Sequence, residues 1–527
     1  MVVGTQTALA PNVTESLLET LGAGSAVPSA GSSSIDIIAP FTSETIGRVP
    51  HATTDDLAPI LNRARETQVE WAKTPMRERV AILSRFHDLL IERADVAMDI
   101  IQLEAGKARI PAFEEVYDTV AATRYYMNTG PGLLRRKRRA VSLPGMTVAY
   151  EYRHPRGVVG NITPWNFPFT LAISDIIPAL LAGNTVISKP DEKTPFSMLY
   201  GASLLAAAGL PDGVLQVVTG YGAEIGSTII DGVDFIQFTG STDVGRQVAA
   251  QAGERLIGSS MELGGKNAAI VMADADLDRT IPGIARAVYA NGGQLCIAME
   301  RIYVDETISD EFTQRFVDYS RALPLTRSFD FSSALSAMIT QDDLEKVHSH
   351  VEDAVASGAS LLTGGNPRPD VGPLFYEPTV LTDVDEGMLL CRSETFGPVV
   401  SIYPYGDLKD AVAMANDSDL GLNFSVWTRD TSRGVAVASQ LEAGTVGVND
   451  GYAATWSSYD APMGGMKASG LGRRHGAEGL LKYTESQTVA AQKFGAAFTP
   501  PAGLDYETYQ KLLGSLLRIL KRLPFYK

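Results

Sequence analysis

The chain has 527 residues, of which 20% are charged and 45% are hydrophobic, as in a soluble globular protein of roughly two to four domains. Its net charge of −16 argues against a nucleic-acid partner, and its two cysteines argue against a disulfide framework. No apolar stretch of the sequence is long enough to span a bilayer.

Residues 1–34 are rich in Gly, Ser, Thr and Ala and are expected to form a poorly ordered lead-in with one short helix near residues 15–21. This segment lacks the basic start and compact apolar stretch of a signal peptide. Together with the low cysteine content, these features favour a protein of the reducing cytoplasm.

The next hundred residues combine short strands with helices. Apolar residues recur at helical spacing, and Pro75 and Gly106 punctuate the pattern. The pattern predicts short strands within residues 35–50 and helices over residues 55–73, 76–106 and 111–128. The basic run at 135–139 is expected to be a solvated surface loop, since one such run in an acidic protein is a weak signal. Residues 147–153 alternate and predict a strand.

From residue 157 onward, short apolar strands alternate with helices. The strands are predicted at 157–162, 184–188, 215–219 and 235–239. This alternation is typical of a doubly wound parallel sheet, in which ligands bind at the carboxyl ends of the strands. The residues that follow those ends are Trp165 and Asn166, Lys189, Gly220, and Gly240 with Ser241.

The loop after the fourth strand has the spacing G-x-x-x-x-G, from Gly240 to Gly245. A glycine turn that opens a helix can bind phosphate through its backbone N–H groups and the helix dipole. A tight strand-to-helix turn explains the same residues about equally well when the loop is considered alone.

One of the two cysteines, Cys296, follows the paired glycines Gly292 and Gly293. A cysteine thiolate forms thioesters with carbonyl carbons, and glycines let the backbone come close to a ligand beside the sulfur. A buried, inert thiol is the competing interpretation. A predicted helix at 277–289 precedes the Cys296 loop, and helices at 309–321 and 341–358 indicate a second α/β unit.

The last part of the chain contains glycine-rich turns near residues 464 and 470, then a predicted strand at 482–492. Residues 505–527 carry leucines on one helical face, with basic residues among them. Such a helix either packs on a core or subunit interface, the favoured interpretation, or lies on a membrane surface.

Four motifs in order resemble the NAD(P)-dependent aldehyde dehydrogenase superfamily. They are Pro-Trp-Asn-Phe-Pro at 164–168, Glu-Leu-Gly-Gly-Lys-Asn at 262–267, Gly-Gln-Leu-Cys at 293–296 and Glu-Thr-Phe-Gly-Pro at 394–398. The resemblance covers about residues 35–492 and is greatest to actinobacterial succinate-semialdehyde dehydrogenases. It implies oxidation of an aldehyde to its carboxylate, through a thiohemiacetal and a thioester on cysteine. Succinate semialdehyde is the first expected substrate, and a broad range of aliphatic and aromatic aldehydes is the alternative.

The resemblance also implies the catalytic roles. Cys296 matches the nucleophile, and the Asn166 amide with the Cys296 backbone N–H would stabilise the oxyanion. Glu262 matches the general base that activates the hydrolytic water. Its apolar, glycine-rich neighbours are expected to raise its pKa.

Cofactor residues follow from the same resemblance. Lys189 and Glu192 would bind the adenosine ribose, where a carboxylate favours NAD over NADP, although Lys193 beside it leaves dual use open. The cofactor set implied by the resemblance is Trp165, Lys189, Glu192, Gly220, Gly240, Ser241, Leu263, Glu394 and Phe396.

The chain departs from the family in the residues that bind the substrate. Classical succinate-semialdehyde enzymes hold the substrate carboxylate with two arginines, and this chain has Ala290 and Ser174 at those positions. Ser458 matches a serine used for carboxylate binding, so Ser174 and Ser458 are the substrate candidates. A small, uncharged wall is expected there, which would admit bulkier aldehydes.

The implied fold is α/β, with a Rossmann-like cofactor domain, an α/β catalytic domain and a small β oligomerisation flap. The expected boundaries are 35–146 and 155–262 with 448–479 for the cofactor domain, 263–447 for the catalytic domain, 147–154 and 480–494 for the flap, and 495–527 for a C-terminal extension. The family forms dimers or tetramers, so a homo-oligomer without nucleic-acid partners or stable membrane insertion is expected.

Three alternatives compete with this interpretation. A CoA-acylating dehydrogenase would lack the general-base glutamate, so Glu262 argues against it. A non-catalytic relative on the same fold is disfavoured by the joint presence of Cys296, Glu262 and Asn166. A metal enzyme is disfavoured because the histidines show no ligand spacing beyond His348 and His350.

Overall fold

The computed structural model describes residues 8–28, 33–142, 146–494 and 498–522. The N-terminal part contains, in chain order, β1 (Ala8–Ala10), β2 (Val13–Thr14), α1 (Glu15–Gly22), β3 (Ser34–Ala39), β4 (Glu44–Pro50), α2 (Thr54–Trp71), α3 (Met76–Glu92), α4 (Ala94–Ala105), α5 (Arg109–Leu134), β5 (Lys137–Arg139) and β6 (Thr147–Pro155).

Strands and helices then alternate in the first α/β unit. Its elements are β7 (Val158–Ile162), α6 (Thr170–Ile173), α7 (Ile176–Ala182), β8 (Thr185–Lys189), α8 (Pro195–Ala207), β9 (Leu215–Val217), α9 (Gly222–Gly232), β10 (Phe235–Thr239), α10 (Thr242–Glu254) and β11 (Gly258–Glu262).

The second α/β unit follows directly. Its elements are β12 (Asn267–Val271), α11 (Leu277–Tyr289), β13 (Met299–Asp305), α12 (Ser309–Arg321), α13 (Gln341–Ala356), β14 (Ser360–Thr363), β15 (Thr379–Thr382), α14 (Leu389–Arg392), β16 (Val399–Tyr405), α15 (Leu408–Asn416), β17 (Leu420–Gly421), β18 (Asn423–Trp427), α16 (Thr431–Ala438) and β19 (Thr445–Val448). The chain ends with α17 (Ala453–Trp456), β20 (Met466–Lys467), β21 (Gly470–Leu471), α18 (Gly476–Leu481), β22 (Thr484–Gln492) and α19 (Tyr506–Leu520).

Two large sheets organise the structure. The first has the order β21-β11-β10-β7-β8-β9, and its strands β7 to β11 are parallel. The second has the order β14-β15-β16-β13-β12-β18-β19 and is parallel except for β14. All residues of β8, β10 and β12 are buried, as expected for parallel strands covered by helices on both faces. The carboxyl ends of the parallel strands β7 to β11 therefore lie along one side of the first sheet.

A third, antiparallel sheet has the order β22-β6-β5. β22 pairs with β6 over nine residues, and every residue of β22 after Thr484 is exposed. The first two sheets lie in the regions that the sequence assigns to the cofactor and catalytic domains, and β6 and β22 lie in the region of the flap. β5 lies in the region 35–146 assigned to the cofactor domain. The domain boundaries themselves stay a prediction.

Two expectations from the sequence need correction. The basic run does not form only a loop, because β5 pairs with β6 and the Arg139 guanidinium bonds Glu151 across the pair. The lead-in is ordered over residues 8–28, where Val13 and Leu18 are buried in the main core. The rest of that prediction, at 1–7 and 29–32, lies outside the described residues.

The helical segment between β7 and β8 is interrupted between α6 and α7. Pro178 has no N–H to donate to the carbonyl of Ser174 four residues earlier, which disrupts a continuous helix. The interruption places Asp175 at the start of α7, where its carboxylate accepts a hydrogen bond from Arg474.

Candidate active site

The backbone around Cys296 is held in an unusual shape. A turn of 3₁₀ helix, Ala290–Gly293, follows α11, and Asn291, Gly292 and Gly293 have φ angles of 51°, 65° and 74°. A Cβ on Gly293 would lie 1.9 Å from the carbonyl oxygen of Gly397, so only glycine fits there. The paired glycines therefore let the nucleophile loop pack closely against the Glu394 loop.

Asn166 and Cys296 are tied to each other through this loop. The Asn166 Nδ2 donates to the carbonyl of Gln294 at 3.1 Å, and the Asn291 Nδ2 donates to the carbonyl of Asn166 at 3.0 Å. An amide nitrogen carries two donors, so Asn166 has a second N–H for a ligand beside Cys296. This arrangement can stabilise negative charge on an oxygen bound near the sulfur.

A cleft of about 200 Å³ lies between the two large sheets. It brings together nine of the residues selected from sequence: Trp165, Asn166, Gly240, Ser241, Glu262, Leu263, Cys296, Glu394 and Phe396. It is also lined by Thr239, Asp343 and Lys346, which the sequence analysis did not select. The candidate nucleophile, the candidate base and the glycine turn thus share one cleft.

Glu262 ends β11 inside this cleft and is 6% exposed. Its Oε1 has no hydrogen-bond partner among the described residues. Burial raises the pKa of Glu262 to about 7, against the opposing charges of Arg474 and Lys482. A carboxylate with a pKa near 7 and a free oxygen is suited to take a proton from water at neutral pH.

The pKa of the Cys296 thiol is raised as well. Burial, with the charges of Glu394 and Glu262, raises the pKa of Cys296 to about 12, while Arg474 opposes the shift. The thiol is therefore protonated at neutral pH in this state. Because the thiolate is the nucleophile, a base such as Glu262 or an added positive charge must favour its formation.

A buried ion pair behind Glu262 escaped the sequence analysis. Arg474 Nη2 donates to Asp175 Oδ1 at 2.9 Å and to Ser174 Oγ at 3.2 Å. Arg474 and Lys482 act on Glu262 by charge, without an ion pair to it in the described structure. No local pattern reveals this pair, since its members are 299 residues apart.

Removal of the Arg474 charge should move the acid limb of the activity. The charges that act on Glu262 belong to Arg474, Lys482, Asp175 and Arg473. Arg474 favours the carboxylate, so Arg474→Met should raise the pKa of Glu262 and shift the acid limb of kcat upward by about one pH unit. The position of the limb, measured from pH 5.5 to 9, is independent of the folded fraction. Arg474→Lys keeps the charge and should restore the limb, whereas an unmoved limb in Arg474→Met would contradict this role.

The remaining cofactor candidates follow the same sheet edge. Lys189 ends β8, and its Nζ bonds Glu192 Oε2 at 2.9 Å. Gly220 follows β9, where a Cβ would lie 2.8 Å from Ile225 Cδ1. These three residues do not line the cleft that holds Cys296. They lie further along the edge formed by the carboxyl ends of the parallel strands.

This edge fits a dinucleotide. Ser241 caps α10, whose first-turn N–H groups are oriented for a phosphate, and the buried Thr239 Oγ1 has no partner among the described residues. Glu394 accepts from the Gly265 N–H at 2.9 Å, and a Cβ on Gly264 would lie 2.6 Å from Glu394 Oε2. Because Gly264 has no side chain, the space beside the Glu394 carboxylate stays open for a ribose.

A second cavity, of about 290 Å³, opens on the other side of the nucleophile loop. The two neighbours of Cys296, Leu295 and Ile297, line it, so the loop separates cleft and cavity. Most of the wall is apolar or aromatic, with Tyr117, Phe167, Tyr452, Trp456 and Tyr459. This cavity is suited to the carbon chain of a substrate.

The wall of this cavity is charged, contrary to expectation, since the carboxylates Glu114, Glu115 and Asp118 line it together with Arg286. Arg286 is the only basic residue among the described residues that line it, and its Nη2 bonds Glu114. Tyr452 OH also donates to Glu114, at 3.0 Å. Arg286 lies one helical turn before Ala290, where the family has a substrate-binding arginine. The predicted helix at 277–289 therefore already indicated that Arg286 lies on the same face as position 290.

The two predicted substrate residues do not line the cavity. Ser174 is buried and its Oγ donates to the carbonyl of Thr170 at 2.6 Å. Ser458 is exposed and its Oγ donates to the carbonyl of Ala454 at 2.7 Å, while its neighbour Ser457 lines the cavity. Substrate binding by Ser174 or Ser458 stays a prediction.

Two further observations concern metals and membranes. The described residues contain no group of three or more His, Cys, Asp or Glu side chains that could hold a metal ion. Among the helices of the described ranges, none is long and apolar enough to cross a membrane.

Known proteins share the sequence and the fold that carry this geometry. The aldehyde dehydrogenase family matches residues 27–489. A Mycolicibacterium smegmatis protein with the provisional name succinate-semialdehyde dehydrogenase (NADP+) is 48% identical over 484 residues, which cover 92% of this chain and 93% of that protein. The mitochondrial succinate-semialdehyde dehydrogenase of Oryza sativa is 35% identical and covers 86% of each chain.

Solved structures agree. The NAD-dependent aldehyde dehydrogenase of Sinorhizobium meliloti has a TM-score of 0.85 at 35% identity, over 90% of this chain and 94% of that one. The betaine aldehyde dehydrogenase of Staphylococcus aureus in complex with NAD+ has a TM-score of 0.85 at 30% identity, over 90% and 95%.

Proposed function

The chain belongs to the aldehyde dehydrogenase family, and we propose that it oxidises succinate semialdehyde to succinate with NAD or NADP. The observation that carries the reaction is the shared cleft of Cys296, Asn166 and Glu262. The names of the curated relatives support the substrate, and Arg286 in the substrate-side cavity supports a carboxylate there.

In the first half of the reaction, the Cys296 sulfur adds to the aldehyde carbon. The thiol proton leaves for solvent as the sulfur–carbon bond forms, so Glu262, with a pKa near 7, remains a carboxylate for the second half. The second N–H of Asn166 and the Cys296 backbone N–H stabilise the oxyanion of the tetrahedral adduct. When bound, the nicotinamide ring supplies the acceptor for the hydride that leaves this carbon, and the adduct becomes a thioester on Cys296.

In the second half, water hydrolyses the thioester. Glu262 removes a proton from that water, and its unpartnered Oε1 is the acceptor. Asn166 again stabilises the oxyanion, and collapse of the adduct releases the acid and the free thiol. Burial of Glu262 keeps its proton affinity high enough to remove a proton from water at neutral pH.

We propose that Lys189 and Glu192 hold the adenosine ribose, Ser241 and Gly240 the pyrophosphate, and Glu394 the nicotinamide ribose. Trp165, Leu263 and Phe396 then line the ring site, where the Trp165 and Phe396 rings lie 5.7 Å apart. The Glu192 carboxylate bonds Lys189, so its negative charge towards a 2′-phosphate is partly neutralised. This pairing supports use of both NAD and NADP.

The carboxylate of the substrate should be recognised by Arg286. Arg286→Met should lower kcat/KM for succinate semialdehyde at least about tenfold and change kcat/KM for butanal less than about threefold, since butanal has the same length without the charge. Arg279→Met is the matched control, because Arg279 lies on the same helix but lines a neighbouring hollow and not this cavity.

Two other outcomes would change the proposal. An equal loss on both aldehydes would give Arg286 a structural role through Glu114. Similar rates of the unmodified enzyme with succinate semialdehyde, butanal and benzaldehyde would favour the second candidate function, a broad-range aldehyde dehydrogenase. The aromatic wall of the cavity supports this alternative.

We propose further that the chain forms a homodimer or homotetramer in the cytoplasm. The outer edge of β22 is long and exposed, and such edges favour pairing with another chain. The two cysteines are free, as suits a reducing compartment. The domain division at residues 146, 155, 262, 447 and 480 belongs to the same proposal.

A further inference from the structure

The helix α19 lies outside the part of the chain that the family matches, which ends at residue 489. Asp505 caps it by accepting from the Thr508 N–H at 2.8 Å, so its start is well defined. None of its residues is buried, and Leu512, Leu516 and Ile519 are 57%, 44% and 60% exposed. A helix with leucines in water requires a partner surface to account for them.

The apolar residues of α19 share one face. At about 100° per residue they fall within an arc of about 160°. They are Tyr506, Tyr509, Leu512, Leu513, Leu516, Leu517, Ile519 and Leu520. An arc of this width covers nearly half of the helix circumference, which suits a helix half immersed in an apolar medium.

The opposite face is basic. Lys511, Arg518, Lys521 and Arg522 occupy it, and Glu507 at the first turn is the only acidic residue of the segment 506–522. No ion pair involves these four side chains within the described ranges. The chain as a whole carries a net charge of −16, so the local excess of positive charge on this helix is opposite in sign to the rest of the protein.

We propose that α19 is an interfacial helix that binds the chain to the surface of an anionic lipid bilayer. The leucines enter the acyl boundary, and the lysines and arginines reach the headgroups. Its 15 residues give a length of about 22 Å, which suits a helix lying in the plane of the interface rather than crossing it. A second copy of the chain could bind this face only if it offered a broad apolar groove. The basic residues favour the phosphates of lipid headgroups instead.

The test is co-sedimentation of the full chain with vesicles. Vesicles of phosphatidylcholine with about 30% phosphatidylglycerol should bind at least about tenfold more protein than pure phosphatidylcholine vesicles, and 0.5 M NaCl should remove most of this difference. Leu512→Glu combined with Leu516→Glu should lower binding at least about tenfold. Arg518→Glu combined with Lys521→Glu should abolish the preference for anionic vesicles.

Val69→Glu is the control for an added glutamate outside α19, since Val69 is 52% exposed on α2. It should bind vesicles within about twofold of the unmodified chain. All variants should oxidise aldehydes at the unmodified rate in solution, so failure of membrane binding is separable from failure of the dehydrogenase. Absence of binding to anionic vesicles, or equal binding by the leucine variant, would overturn the proposal. A halved mass of the leucine variant in light scattering would overturn it in favour of a second copy.

Discussion

Cys296→Ser should lower aldehyde oxidation at least about a thousandfold, which corresponds to about 4 kcal/mol of transition-state stabilisation. A serine hydroxyl has a far higher pKa than a thiol and does not form the adduct at neutral pH. The substitution changes one atom in a loop that tolerates no added bulk, because Gly293 contacts the carbonyl of Gly397. The fold should therefore be kept, and the loss should be chemical.

Steady-state rates measure the loss of activity, and mass spectrometry after iodoacetamide treatment measures the reactivity of the Cys296 thiol. The matched control is Cys391→Ser, since Cys391 is half-buried on α14 and does not line the cleft. It should keep full activity and the label at Cys296. Activity within tenfold of the unmodified enzyme in Cys296→Ser would contradict the nucleophile role, and an unlabelled Cys296 in the native protein would support a non-catalytic relative.

Glu262→Gln should separate the two halves of the reaction. Hydrolysis should slow about a hundredfold or more, because Gln cannot accept a proton from water. Hydride transfer should still occur once per site, so mixing enzyme, cofactor and aldehyde should give a burst of reduced cofactor followed by a slow steady rate. The thioester should be trapped as a hydroxamate by hydroxylamine.

The pH dependence of the unmodified enzyme follows from the same residue. The carboxylate form of Glu262 is the base, and its pKa is raised to about 7 by burial. The hydrolytic rate should therefore fall as the pH drops below about 7, and the Gln variant should lack this limb. Glu254→Gln, on the exposed end of α10, should behave as the unmodified enzyme.

Two results would change the assignment. Loss of the burst together with hydrolysis would mean that Glu262 is also required to deprotonate Cys296, whose pKa is raised to about 12. Restoration of turnover by CoA, without release of free acid, would indicate the acyl-transferring class instead.

Local sequence patterns predicted many elements because short-range spacing determines them. The helices at 277–289 and 309–321 and the strand at 235–239 have the predicted bounds. The strand β11 was missed because Gly258–Glu262 is largely polar, and its pairing with β10 makes it a strand. β5 was missed for a similar reason, since a basic run forms a strand only where β6 offers an edge.

The nine cleft residues were identified by motifs, and the structure brings them together because the parallel strands end at one edge. Arg286 and Arg474 were missed because their meaning depends on partners 172 and 299 residues away. Charges at such separations interact only after the two sheets and their helices have packed. Sequence alone therefore predicted a nucleophile, a base and a cofactor site, and their roles stay predictions. The tertiary structure decided the charges around Glu262, where low-dielectric burial strengthens the Arg474–Asp175 pair, and it placed Arg286 in the cavity beside the Cys296 loop.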